Sequence, residues 1–268
     1  MANTVYPNKV IEAKAKDILT TQINARSMMT IDTSLTQNAG MVKTINTYTY
    51  TGAAEEVAAG SGNSTRGSIA YVGKDYTVKM VQQAFDYLDE DFMKDPVIVD
   101  YGIKGATSVM TNDMTSKFYA ALATKNGATE LVKGITFAKG KALSYDVIVD
   151  AISELNLEDE SKVFIVIPNV WKASLRKDPD YKSALMGEVI YNGQVGTVCG
   201  IPVIATKALT DKAYVMTNEA VTLFLKKDVE VEQERDADKR KNSVYLRSCY
   251  VCALRDATKA CKITEATA

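Results

Sequence analysis

One segment sets a minimum length on any fold this chain can adopt. Asp95 followed by Pro96 is a helix start: a side-chain acceptor for the first free N–H groups, then a residue whose fixed φ suits the first turn. From Val97 to about Lys125 no further proline occurs, and Gly127 follows as a stop signal. Ile103, Met110, Met114, Phe118 and Leu122 recur at spacings of seven and four, which places them on one helix face. At about 1.5 Å per residue the helix would be roughly 40 Å long, longer than the average globular helix. Gly102 and Gly105 weaken its early turns and predict either close packing on a sheet or a bend.

Before this helix the composition changes. Residues 8–24 have helical spacing, with Ile11, Ala15, Ile18, Leu19 and Gln22 sharing a face and Asn8 able to cap the start. Residues 41–52 are rich in Thr, Tyr, Val and Ile, a strand composition, and strand-like sequence returns with Ile69, Tyr71, Val78 and Met80. Between them lies TGAAEEVAAGSGNSTRGS, rich in glycine and small polar residues. A phosphate-binding loop needs a helix after its glycines, and a Walker loop needs Lys and Ser or Thr. Here Gly67 is followed by Ser68 and a strand. The stretch therefore reads as the tip of a long hairpin, its glycines serving flexibility and close approach.

After the helix comes a mixed α/β unit. Residues 144–156 form an amphipathic helix, 162–168 (KVFIVIP) a buried strand by their unbroken apolar run, and 169–177 a short helix. A polar, glycine-punctuated loop follows to about residue 197, then a strand behind Gly200 and Pro202, then two more apolar segments.

The carboxylates Asp228, Glu230, Glu232, Glu234, Asp236 and Asp238 occupy every even position of the next segment. On a strand all six would point to one side and repel unless cations stood opposite. The six bases nearby cluster at the segment's ends, so they cannot all lie opposite the acids within one strand. Three readings stay open: a charged strand meeting another subunit, a solvated edge whose charges block aggregation, or a divalent-ion site. In SVYLRSCYVCAL the residues Val244, Leu246, Tyr250, Cys252 and Leu254 share a face, with Arg247 and Arg255 on the other. KACKITEA reads as a last short strand pairing into the same sheet beside the long helix.

Composition narrows the function classes. The net charge is −1 with 32 basic and 33 acidic residues, which excludes a dedicated nucleic-acid binder that neutralises many phosphates. There is no histidine, so no Ser-His-Asp or Cys-His centre can be built from this chain alone. Four cysteines are too few for a disulfide scaffold. Cys249 and Cys252 have CxxC spacing, but on a strand they point to opposite faces as two separate thiols. No run of 18 apolar residues suggests a membrane span.

The order of arm, long hairpin, long helix, α/β unit, charged strand and terminal strands resembles the major capsid proteins of tailed bacteriophages. So do GTVCGIPVIATKAL, VFIVIPNVWKASLRKDPDY and VEVEQERDADKRKNSVYLRS. The resemblance implies an α+β fold of the Hong Kong 97 type and covers nearly the whole chain. It implies an N-arm at 1–35, an extended loop at 36–80, a peripheral domain with the spine helix at 81–141, an axial domain at 142–225 and peripheral return strands at 226–268. The function it implies is a shell protein, not an enzyme, that forms the hexamers and pentamers of an icosahedral head around double-stranded DNA. No cofactor or metal is expected. The expected inter-subunit contacts are Glu55, Glu56, Asn63 and Arg66 at the loop tip, and Glu230, Glu232, Glu234 and Arg235 on the charged strand. Further expected partners are a portal protein, scaffold or decoration proteins, and DNA held weakly and without sequence preference. No long acidic or coiled-coil extension precedes the arm, so a separate scaffold, or none, is expected; a removed prodomain fits only a sequence that starts after cleavage. The expected location is the virion, assembled in the bacterial cytoplasm. Relatives that crosslink subunits use a lysine and an asparagine; the tip has Asn63 and Arg66 but no lysine, so the crosslink is not carried over. The alternative is an encapsulin-like nanocompartment shell, and a metal-dependent hydrolase using the acidic row is the rival from another class.

Overall fold

The computed structural model describes residues 11, 13–15, 25–126, 128–179 and 196–266. Its amino-terminal half holds β1 (Thr30–Asp32), β2 (Val42–Thr51), β3 (Ser68–Thr77), β4 (Lys79–Leu88), α1 (Asp89–Lys94) and α2 (Ile98–Leu122). Next come β5 (Lys125–Asn126), β6 (Thr129–Glu130), β7 (Lys133–Phe137), α3 (Tyr145–Leu155), β8 (Val163–Pro168) and α4 (Lys172–Lys177). The chain ends with β9 (Thr197–Val198), β10 (Ile201–Thr206), β11 (Lys212–Thr217), β12 (Val221–Asp236), β13 (Lys241–Leu254) and β14 (Ala260–Glu265).

Helix α2 is the predicted long helix, but it begins at Ile98 with Val97 at its cap and no side-chain cap bond, rather than being capped by Asp95. The Asp95 carboxylate accepts a bond from Val97 N at 2.9 Å, in the turn that leads into the helix. The helix stops at Leu122, about a turn earlier than the sequence predicts, because Lys125–Asn126 leaves to pair with Thr129–Glu130. The whole predicted stripe of Ile103, Met110, Met114, Phe118 and Leu122 is buried. It lies on the four-stranded sheet β1-β12-β13-β4. Gly102 makes the close approach possible: a Cβ there would collide with the Phe85 ring of β4, whereas one on Gly105 would meet nothing. On the same helix Asp113 accepts a 2.6 Å bond from Tyr250 OH of β13 and pairs with Lys117 at 2.6 Å. Burial pushes this carboxyl up, but the bonds from Lys117 and Tyr250 outweigh that and hold it below its ordinary range.

The second sheet has the order β7-β14-β11-β8-β10-β9. Ile165, Ile167, Ala213 and Val215 face one core with Ile148, Ala151 and Ile152 of α3. Their neighbours Val166, Tyr214 and Met216 face a second core shared with Met114, Phe118 and Leu122 of α2. The central strands are thus covered on both sides, which explains an unbroken apolar run instead of alternation. One pairing and one strand boundary differ from expectation. Strand β14 lies between β7 and β11 in this sheet rather than beside the charged strand. Strand β12 begins at Val221, so the expected boundary at 225/226 falls inside one continuous strand. KACKITEA reads as a strand and is one; only the three-dimensional neighbours decide which sheet takes it. Most of the expected polar loop of residues 178–197 lies outside the described residues.

Candidate assembly surfaces

Strands β2 and β3 pair in register from Val42↔Thr77 to Thr51↔Ser68 and with no other strand among the described residues. They form a two-stranded ribbon whose turn is the glycine-rich stretch. Gly52 and Gly67 lie under the Tyr50 ring, close enough that a Cβ on either would overlap it. Close approach is therefore their role, as the sequence predicts. The tip is less loose than its composition suggests. Glu55 accepts from Ser64 N at 2.9 Å, Thr65 N at 3.0 Å and Thr65 Oγ1 at 3.2 Å, and from Ser64 Oγ. Ala58 O accepts from Ser61 N at 3.0 Å, with Gly60 at φ 90°. The hydroxyl and amide donors of Ser64 and Thr65 hold the Glu55 carboxyl below its ordinary range. Glu55 is thus committed inside its own loop, while Glu56, Asn63 and Arg66 are exposed around it.

One face of the ribbon is apolar and open. Tyr48 opposes Tyr71 and Tyr50 opposes Ile69, and all four are 66–70% exposed. Isolated hydrophobics are ordinary on a surface; four in two adjacent cross-strand pairs are a patch. The base of the ribbon is anchored: Val78 is buried, donates its N–H to Met41 O at 2.7 Å, and packs with Leu35, Phe224 and Ala253. Of the amino-terminal helix, Ile11 and Ala15 are buried against α2 residues Val99 and Ile103, and Lys14 pairs with Asp100 at 2.8 Å.

The acidic row is broken at both ends. Register shifts between Leu225 and Glu230 turn Asp228 aside to Arg26 at 3.3 Å, and Asp238 lies past the strand in a turn. Glu230, Glu232 and Glu234 remain on one exposed side, with Val229 and Val231 buried on the other. Their partners come mostly from the neighbouring strand. Glu232 pairs with Arg247, whose Nε also donates to Gln82 at 2.6 Å. Glu234 accepts from Tyr245 OH at 3.3 Å, and Glu230 meets Lys227 at 2.6 Å. Arg235 reaches Asp89 at 2.9 Å, a carboxylate that Asn242 also bonds at 2.6 Å. Sequence reasoning missed Arg247 because a cross-strand partner has no fixed offset in the chain. Cys249 and Cys252 occupy different cores on the two faces of β13, as the spacing predicts. Among the described residues no three His, Cys, Asp or Glu side chains are grouped to hold a metal ion.

No family model matches the chain. The major capsid protein of Staphylococcus phage phiMR11 is 24% identical over 275 aligned positions, covering 98% of this chain and 94% of that protein. Solved structures align over most of the chain at low identity. One from Mycobacterium phage Che8 has a TM-score of 0.65 at 17% identity, covering 90% of this chain and 91% of that one. The capsid of cyanophage P-SCSP1u gives 0.67 at 13%, covering 90% and 87%. A virus-like particle from Pyrococcus furiosus gives 0.62 at 11%, covering 97% and 100%. The fold is therefore an α+β shell fold of the Hong Kong 97 type. Within that class the chain resembles the major capsid proteins of tailed phages.

Proposed function

We propose that this chain is a phage major capsid protein whose copies form the hexamers and pentamers of an icosahedral head around double-stranded DNA. Full-length similarity to the phiMR11 major capsid protein carries the reading. The ribbon supports it: an extended element with four large apolar side chains turned to solvent is incomplete in a monomer and is stabilised by burial against copies of the same chain. Modest contacts suffice, because a closed shell repeats each one many times. In this reading 1–35 is the N-arm, 36–80 the extended loop and α2 the spine helix. The four-stranded sheet belongs to the peripheral domain and the six-stranded sheet to the axial domain. Glu56, Asn63 and Arg66 at the tip, and the exposed sides of Glu230, Glu232, Glu234 and Arg235, are the proposed contacts, with Glu55 shaping the tip that presents them. A portal, scaffold or decoration proteins and weakly held DNA are the further proposed partners, in a virion assembled in the host cytoplasm.

Particles purified from producing cells test this. Shells that protect double-stranded DNA from nuclease support it; shells holding protein cargo and no DNA favour the nanocompartment reading. Alanine at Glu230 and Glu232 separates a shell protein from an enzyme. Lost assembly is expected, and lost turnover without lost assembly contradicts the proposal.

A further inference from the structure

The six-stranded sheet ends in a cavity that lies outside the proposed assembly contacts. Strands β7, β14 and β8 run the same way, since β14 is parallel to β7 and both β14 and β8 are antiparallel to β11. Their carboxyl ends therefore lie together with the start of β11. Open α/β sheets hold ligands in the crevice outside such strand ends. Here the crevice is a cavity of about 780 Å³, within the roughly 300–1,000 Å³ of small-molecule sites.

One wall is Trp171, the single tryptophan of the chain. Its ring meets that of buried Phe137 edge to face, with centroids 5.4 Å apart at 79°, which ties it to the core beneath the sheet. Lys139 stands in a tight turn after β7, closed by Lys141 N donating to Ala138 O at 3.1 Å, with Gly140 at φ 73°. Glu265, at the end of β14, pins this turn by accepting from Gly140 N at 2.7 Å. Across β14 from the turn, Asp211 leads into β11. Thr136 and Thr264 add hydroxyls to the lining. Among the described residues these two hydroxyls and the Trp171 indole N–H have no hydrogen-bond partner, and Lys139 has no carboxylate partner. The polar groups are thus held on strand ends and a pinned turn, with bonding capacity left over.

Charge decides what fits. Two carboxylates repel an anion, and the ammonium of Lys139 beside them repels a cation. A neutral ligand rich in hydroxyls meets neither penalty and uses every part of the lining: carboxylates accept, lysine donates, and threonine hydroxyls do both. The weakly positive C–H face of a pyranose ring packs well on the negative face of an indole. We propose that this cavity binds a neutral sugar ring, stacked on Trp171, with its hydroxyls shared among Asp211, Glu265, Lys139 and Thr264. Glu265 keeps Gly140 N on Oε1 and offers Oε2 to the sugar. The site belongs to a single chain, so it goes beyond the shell reading and stands or falls apart from it.

The lone tryptophan makes the test direct. Full-length protein is excited at the red edge, where tyrosine does not absorb, and titrated with cellobiose, maltotriose and N-acetylglucosamine. Parallel titrations use spermidine and inorganic phosphate. At least one sugar is expected to shift the emission and to shield Trp171 from acrylamide in a saturable way, with a Kd of about 0.1–10 mM, the weak affinity of an open site. Spermidine and phosphate are expected to do neither. Asp211→Asn and Thr264→Val should each weaken sugar binding roughly tenfold, while the emission and circular dichroism of the sugar-free protein stay unchanged. Saturation by spermidine or phosphate in place of the sugars would overturn the proposal. So would no response to any of the three sugars, or a sugar response that survives both substitutions at full strength.

Discussion

Two glycines three residues apart on α2 should respond in opposite ways to the same substitution. Glycine in a helix interior is about 1 kcal/mol less favourable than alanine. Gly105→Ala adds a methyl into open space, so it should stabilise the unassembled subunit by about that amount. Gly102→Ala receives the same helix gain, but its methyl would overlap the Phe85 ring, with Cζ at 2.9 Å and two other ring carbons nearer. Pushing a packed ring aside costs about 1–3 kcal/mol. The helix term cancels between the two variants, so their difference reads the packing cost alone: about 1–3 kcal/mol. For a chain of this size that corresponds to roughly 2–12 °C in Tm. Urea and thermal unfolding of unassembled subunits measure it. A double variant, Gly102→Ala with Phe85→Leu, should recover part of the loss. Equal stabilisation by both single alanines would refute the close contact between α2 and β4.

Four further outcomes are expected. Tyr250→Phe removes a 2.6 Å bond to the Asp113 carboxylate and should cost about 1.5–3 kcal/mol in urea unfolding. Because the folded-state pKa of Asp113 lies below its ordinary 3.8, its contribution to stability is complete above that value and lost as pH falls through the lowered one. Unfolding free energy should then depend on Asp113 only in strong acid, and Asp113→Asn should remove that part of the acid slope. In the native subunit one thiol should react rapidly with a thiol reagent, exposed Cys199, and all four should react after unfolding. Burial pushes Cys252 to about 12 and Cys261 to about 11, so neither supplies thiolate at pH 8. Glu55→Gln should speed hydrogen exchange at Ser64 and Thr65 amides and proteolysis between 56 and 66, without changing the subunit's Tm.

Local signals and long-range ones were unequally legible in the sequence. The long helix and its buried stripe follow from spacing, which acts within a few residues, while its first turn lies at Ile98, past the cap signal at Asp95. The ribbon was readable because two β-rich segments flank a stretch without helix-forming context. The close approach of its glycines is legible, but the order of its tip is not: the acceptor Glu55 and its donors Ser64 and Thr65 sit nine and ten residues apart, across a loop whose closure no pattern announces. The acidic row shows the same limit. Period two revealed a strand, while the neutralising Arg247 lies 15 residues away on β13 and the bulge that diverts Asp228 comes from strand pairing. The sheet to which β14 belongs was likewise decided by tertiary neighbours.

The most direct measurement is electron cryomicroscopy of the purified, overexpressed protein, with sedimentation velocity on the same sample. Closed shells built of five- and six-membered rings, with each ribbon resting on an adjacent molecule, are the predicted result. A single slow boundary at every concentration, from a monomer whose Tyr48, Tyr50, Ile69 and Tyr71 resist protease by packing on its own body, would contradict it.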